Sequence, residues 1–373
     1  MFESLNLRDW PFMVVPDAQF ARIWAGRKQS KQQLERLLLK LQYSPKSSLY
    51  LFWANFGMGK THTLYHIQHQ CQNTQGKLVP VYVSMPSKPK GFLDLYRAII
   101  QALPYDYIGD QFVRVGALSP KGVAFHTYFE KVPGVVNALL AIRNADIERS
   151  SIALQWLSAQ PGLSASDLRQ IGIRNQIKNP DDAITLLSAL TKLVNLGDKN
   201  RKLLILVDEY QKIGELNPRV RNDTNNGLHK YFNQHPTGLS IILSFSFGTK
   251  DNLPYHLSKE LKDRAEPETI SLDVLKKDEA IEFIRDLLAQ FHISEDGRWA
   301  FPFSPEAVVL LVNHLTKKSG TTPRRLMKYM NHILLEVIAE SGGNLASDIK
   351  ANEISRILNN PDLNVLDVED EQL

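Results

Sequence analysis

One short stretch restricts the possible folds of this chain more than any other. The apolar run Leu49-Tyr-Leu-Phe-Trp-Ala54 passes directly into Asn55-Phe-Gly-Met-Gly-Lys-Thr61, and an apolar-periodic segment, Thr63-Leu-Tyr-His-Ile67, follows. A strand, a glycine-rich turn and a helix in that order form a phosphate cradle. The backbone N–H groups of the loop Asn55, Phe56, Gly57, Met58 and Gly59 converge on one point, and the helix adds its positive end there. Lys60 is then placed to neutralise β- and γ-phosphate oxygens, the Thr61 hydroxyl to ligate Mg²⁺, and Thr63 to complete the nucleotide-facing set. Ala54 stands where the pattern commonly has glycine, and an alanine fits there if its φ is negative.

A phosphate cradle needs acidic partners, and the run Leu203-Leu-Ile-Leu-Val-Asp-Glu-Tyr210 supplies two carboxylates at the carboxyl end of an apolar strand. Ligands of open α/β sheets bind at that end. Asp208 is expected to hold the Mg²⁺ shell together with Thr61, and Glu209 to polarise the attacking water. Ser244, Ser246 and Thr249 lie at or near the end of the next strand. Ser246 is preferred over Thr249 as the hydroxyl that bonds the γ-phosphate or the water. Arg264 closes a short helical stretch from which it could face a neighbouring subunit, and arginine's planar fork suits transition-state phosphate charge. Gly320-Thr-Thr-Pro-Arg-Arg-Leu-Met327 opens another helix, with Pro323 suited to the first turn and Arg324 able to reach the γ-phosphate. For either arginine an ordinary surface ion pair is the competing reading.

Further along the chain, strands alternate with helices, which implies a parallel sheet covered on both faces. Leu78-Val-Pro-Val-Tyr-Val-Ser84, Lys202–Val207 and Ser240–Phe247 read as strands, and Pro80 argues for an edge position. More than 100 residues separate the second strand from the third, against about 10 to 30 for an ordinary crossover. An inserted helical subdomain over about 92–200 is the economical reading. The expected organisation is an α/β nucleotide-binding domain over 1–275, a helical lid over 276–355 and an acidic, disordered tail over 356–373, where Asp367, Glu369, Asp370 and Glu371 cluster.

The 373 residues are 43% hydrophobic and 23% charged, ordinary for a globular protein. No run of about 18 apolar residues exists, and Met1–Leu5 lacks a basic segment followed by an apolar one, so a cytoplasmic protein without a membrane span is expected. The single Cys71 excludes an internal disulfide and reads as a buried or half-buried thiol in a helix. The net charge of +4 permits nucleic-acid contact without requiring it; the basic clusters are Arg22, Arg27, Lys28 and Lys31, then Lys88 and Lys90, then Lys317, Lys318, Arg324, Arg325 and Lys328. His62, His66 and His69 share a helix at spacings of four and three, but no carboxylate or cysteine joins them, so packing or solvent contact outweighs metal binding. No nuclease, methyltransferase or protease constellation is present.

Taken in order, these pieces resemble AAA+ ATPases of the origin-recognition and STAND-like branch over about residues 20–340. That resemblance implies an α/β parallel-sheet P-loop core with a helical insertion and a C-terminal helical lid. It also implies ATP and Mg²⁺ as ligands, and a homo-oligomer, ring or filament, with ATP at the subunit boundary. By the same resemblance Trp24, Gly26 and Arg27 look like the adenine-side motif, with Lys28 in place of its usual glutamate, and residues 54–61 look like Walker A. Leu204–Glu209 look like Walker B, Ser246 like sensor 1, Arg264 like the arginine finger and Arg324 like the sensor 2 arginine, with Gly320 one residue further from Pro323 than is common. Within the insertion, Ala153-Leu-Gln-Trp-Leu-Ser158 followed by Asp167-Leu-Arg-Gln-Ile-Gly-Ile173 resembles ATP-binding proteins of BREX-type phage-defence islands. This implies a defence ATPase acting with partner proteins on DNA. Trp156 and Leu157 themselves read as core residues of the insertion. A transposition-type regulator that assembles on duplex DNA and recruits a transposase fits the same engine, as does an ATP-gated scaffold with little hydrolysis.

Overall fold

The computed structural model describes residues 3–73, 76–117, 129, 133–144, 146–196, 201–247, 253–294, 297–317, 320–342 and 347–360. In chain order its main elements are α1 (Lys28–Tyr43), β1 (Ser48–Ala54), α2 (Lys60–Asn73), β2 (Leu78–Ser84), α3 (Phe92–Ala102), α4 (Tyr105–Ala117), α5 (Pro133–Asn144), α6 (Ile147–Leu157), α7 (Ala165–Gln170), α8 (Pro180–Leu196), β3 (Lys202–Asp208), α9 (Pro218–Asn233), β4 (Leu239–Phe245), α10 (Leu253–His256), α11 (Lys259–Arg264), β5 (Ile270–Leu272), α12 (Lys277–Phe291), α13 (Pro305–Thr316), α14 (Pro323–Glu340) and α15 (Ala351–Leu358). They pack as two compact units, Arg36–Phe52 with Ile67–Ile270, and Met1–Glu35 with Trp53–His66 and Ser271–Leu373, as far as these are described.

The first unit carries the body of a five-stranded sheet of order β2-β3-β4-β1-β5. Every residue of β1, β3 and β4 is buried, the continuous apolar character of strands covered on both faces. β3 pairs in parallel with β2, Leu78 to Ser84 lying opposite Lys202 to Asp208, and in parallel with β4, Leu203 to Val207 opposite Leu239 to Leu243. Pro80 lies in β2, which is an edge strand, as its missing N–H requires. Cys71 is buried, and burial pushes its thiol up to about 12.

The long stretch between β2 and β3 is helical among the described residues and does two jobs. Helices α3 and α8 lie on the sheet, against β2 and β3 respectively, so only α4 to α7 form an addition to the α/β layers. Trp156 and Leu157 are core residues of this addition, as expected: both are buried, and the Trp156 indole Nε1 donates to Asn175 O at 2.7 Å. A Cβ on Gly134 would sit 2.7 Å from the Trp156 ring, so the crossing of α5 and α6 needs glycine there.

In the second unit, α14 buries Leu326, Tyr329, Met330, Ile333, Leu334 and Val337, one stripe at helical spacing. They share a core with Phe283, Ile284, Leu311 and Val312, and with Leu5, Leu7, Phe12 and Ile23 from the start of the chain. Each such side chain contributes roughly 1.5–3 kcal/mol when fully buried. Leu7 bridges His292, and Arg8 N–H donates to Phe291 O at 2.8 Å. The leading residues, grouped from the sequence with the α/β domain, thus pack into the C-terminal helices. Thr249, Lys318 and residues 361–373 of the expected acidic tail lie outside the described residues. Among the described residues no helix is long and apolar enough to cross a membrane.

Candidate functional site

The phosphate loop belongs to the second unit. Gly57 and Gly59 hold φ of 76° and 88°, left-handed values that only glycine adopts at little cost. Ala54, the last residue of β1, is not among the residues with positive φ, so alanine replaces glycine there without strain. The Lys60 ammonium is buried and donates to Ala54 O at 2.9 Å and Asn55 O at 3.1 Å. It lies across the loop's own carbonyls, at the place from which it would turn to phosphate oxygens. Thr63 Oγ1 donates to Gly59 O at 2.9 Å and locks the first turn of α2, the helix that Lys60 and Thr61 open.

Two arginines bear on this loop. Arg324 opens α14 behind Pro323, and its backbone N–H, an orphan donor of a helix start, goes to Gly57 O at 3.2 Å. Its guanidinium carbon lies 4.2 Å from the Phe56 ring centroid. Thr322 caps the same helix by accepting Arg325 N–H at 3.1 Å, and its hydroxyl would lie 3.2 Å from a Cβ on Gly57. Arg27 donates from Nη1 to Met58 O at 2.9 Å and from Nη2 to Asp273 O at 2.7 Å. Burial lowers its pKa to about 10, against the pull of Glu279 and Asp273.

The turn at Trp24, Gly26 and Arg27 is built tightly. Trp24 Nε1 donates to Gly26 O at 2.9 Å, and Gly26 N–H donates to Asp286 Oδ2 at 2.9 Å. Gly26 has φ 58°, and a Cβ there would lie 3.1 Å from Phe283 Cα, so glycine is needed twice over. The Trp24 ring is 5.0 Å from His66. His62 Nε2 donates to Ile23 O at 2.7 Å and His66 Nδ1 to Ala21 O at 2.8 Å, so these histidines fasten the turn to α2. Among the described residues no cluster of histidine, cysteine or carboxylate could hold a metal by itself. Lys28, in place of the resembled glutamate, pairs with Glu282.

The acidic pair belongs to the first unit. Asp208 ends β3 and is buried; its Oδ1 accepts from Ser244 Oγ and from Glu209 N–H, both at 2.9 Å, and its Oδ2 accepts from Tyr82 OH at 3.2 Å. Glu209 follows at φ 55°, and its carboxylate meets Lys212 Nζ at 2.5 Å and Ser84 Oγ at 3.4 Å. Ser246 lies just past β4 and its N–H donates to Gln211 Oε1 at 3.0 Å, whereas Ser244, on β4 itself, is the serine bonded to Asp208. The pairing register marks Ser244, since Val207 lies opposite Leu243. Arg264 is the exposed last residue of α11 and, among the described residues, makes no hydrogen bond or ion pair. Hard oxygen donors are what Mg²⁺ takes, usually one or two from protein with the rest from phosphate and water, and the Thr61 hydroxyl of one unit and the Asp208 carboxylate of the other are each of that chemical type.

The five-stranded sheet and the glycine loop have the fold of AAA+ P-loop proteins. Residues 129–255 match the family described as BREX system ATP-binding protein BrxC/D. Among solved structures, the Aeropyrum pernix ORC2 protein in ADPNP and ADP complexes is similar at 13% identity over 94% of this chain and 72% of that one, with a TM-score of 0.54. The Aeropyrum pernix ORC1 protein in complex with DNA aligns at 12% identity over 94% and 69%, with a TM-score of 0.49. No curated protein matches the chain.

Proposed function

We propose that this chain is an ATPase that binds ATP with Mg²⁺ and hydrolyses it at a boundary between copies of itself, driving assembly or remodelling of a DNA-associated complex in phage defence. The proposed place of action is the cytoplasm. The observation that carries the reading is the loop: left-handed Gly57 and Gly59, the buried Lys60 ammonium and Arg324 held to the loop by Gly57 O. In this reading Lys60 leaves its two carbonyls for β- and γ-phosphate oxygens, and Arg324 exchanges the Phe56 ring for the γ-phosphate. Thr61 and Asp208 would hold Mg²⁺, which when bound neutralises phosphate charge. Glu209 polarises the attacking water, Ser246 bonds the water or γ-phosphate, and Ser244 orients Asp208. The exposed Arg264 suits a role in a neighbouring copy's site. The defence role and protein partners rest on similarity over residues 129–255 to the BREX ATP-binding family.

A second reading, the ATP-gated scaffold, is favoured by one contact: Glu209 is ion-paired to Lys212 at 2.5 Å, which occupies the group that would act on water. Turnover separates the two. ATP hydrolysis that disappears in Glu209→Gln while ATP still binds supports the ATPase; ATP binding without turnover in the wild type supports the scaffold. The DNA part is tested by ATP-dependent binding to duplex DNA that weakens steeply with salt, because phosphate contacts release counterions. Indifference to duplex DNA at low salt would refute it.

A further inference from the structure

Arg27 holds a left-handed backbone, φ 50°, which it shares among the described non-glycine residues with Asn6, Ala159 and Glu209. Such a conformation persists in a side-chain-bearing residue only where its surroundings enforce it. The enforcement here is explicit. On one side the turn is fixed by Trp24 Nε1 on Gly26 O and by Gly26 N–H on Asp286. On the other, the guanidinium spans two main-chain carbonyls, Met58 O and Asp273 O, and among the described residues forms no ion pair. Arginine's rigid fork suits such a two-point bridge. Its Nε is buried without a partner, so the group is committed to these carbonyls at the cost of one unsatisfied donor.

The position of Met58 O matters for chemistry. In a trans peptide the carbonyl of one residue and the N–H of the next point in opposite directions. Drawing Met58 O towards Arg27 therefore turns Gly59 N–H to the opposite side. Asp273, the second acceptor, lies between the last residue of β5 and Lys277, where α12 begins.

We propose that Arg27 is a positioning residue that sets the phosphate loop by holding the Met58 carbonyl, and so ties the loop to the base-side turn and to the root of the C-terminal helices. This rests on the reading that the loop takes the triphosphate of ATP. A residue serving the base would affect only ligands that have one, whereas a residue that sets the loop affects phosphate chains as such. The test is calorimetric titration of the full chain with Mg²⁺-ATP and with Mg²⁺-tripolyphosphate, which has no base. Arg27→Gly suits the left-handed backbone and removes the bridge; Arg27→Lys keeps the charge without the fork. Thermal unfolding confirms that each variant is folded. Arg27→Gly is expected to lose tenfold or more affinity for both ligands by a similar factor, and Arg27→Lys to restore only part of it. Tripolyphosphate affinity within threefold of wild type in Arg27→Gly, or full restoration by Arg27→Lys, overturns the proposal. A wild type that binds neither ligand refutes the phosphate-loop reading itself.

Discussion

Replacing each loop glycine by alanine separates two physical contributions that the structure makes unequal. Gly57 and Gly59 share a left-handed backbone, φ 76° and 88°, but a Cβ at 57 would meet Arg324 Cβ and Thr322 Oγ1 at 3.2 Å, whereas a Cβ at 59 has nothing within 4 Å. A left-handed alanine costs roughly 1–2 kcal/mol. Gly59→Ala is therefore expected to lower stability by about that amount and no more. Gly57→Ala adds crowding against the start of α14, and overpacking costs about 1–3 kcal/mol, for a total of about 2–5 kcal/mol. Urea unfolding of the nucleotide-free chain, followed by the fluorescence of its five tryptophans, measures both. Truncating the neighbour should relieve the second contribution, so Gly57→Ala with Thr322→Ser recovers less than with Arg324→Gly, which removes a Cβ in contact. Equal destabilisation by Gly57→Ala and Gly59→Ala would refute the claim that the loop rests on the helix that carries Arg324.

Other consequences follow from single groups. His235 is fully buried with neither ring nitrogen bonded, and burial first, then Lys192, lowers its pKa to about 4. The unfolded chain therefore binds this proton more readily, so the stability linked to it is whole above about pH 6.5 and is lost progressively towards pH 4, by about 3 kcal/mol at most; urea midpoints for His235→Phe should lose that part of the pH dependence. Ser244→Ala removes one of the donors on the buried Asp208 carboxylate and should cost about 1–3 kcal/mol and reduce turnover, read by denaturation and phosphate release. Gly134→Ala drives a methyl to within 2.7 Å of the Trp156 ring and should cost about 1–3 kcal/mol while leaving ATP affinity unchanged, since the site lies elsewhere.

Local order carries far in this chain, and non-local contacts do not. The strand, turn and helix around Lys60 are contiguous, so the apolar run and the glycines reveal them without knowledge of anything else. The C-terminal helices are legible for the same reason: Leu326, Met330, Ile333 and Val337 repeat at helical spacing, and Pro323 marks the start. The packing of Leu5, Leu7 and Phe12 with those helices joins residues about 300 positions apart, and no periodicity reports such a pairing. Helicity over 92–200 does not say which of its helices lie on the sheet, so the packing of α3 on β2 and α8 on β3 is not legible in the sequence. Among the site residues, Asp208 and Glu209 are visible as an acidic end to an apolar strand. Ser244 is visible as one of three hydroxyls near a strand end, but that it is the serine bonded to Asp208 follows from the register of β3 against β4. Arg27 is visible as a cation beside a glycine, but its acceptors are backbone carbonyls 31 and 246 residues away, which leave no trace in side-chain identity.

The proposed ATP site depends first on Lys60, which sits in a loop suited to hold a nucleoside triphosphate. Titration of Mg²⁺-ATP into wild type and Lys60→Ala tests it directly. Saturable one-site binding is expected of the wild type, with a loss of a hundredfold or more in the variant, about 2.8 kcal/mol at 1.4 kcal/mol per tenfold. Equal affinity in the two proteins would contradict it.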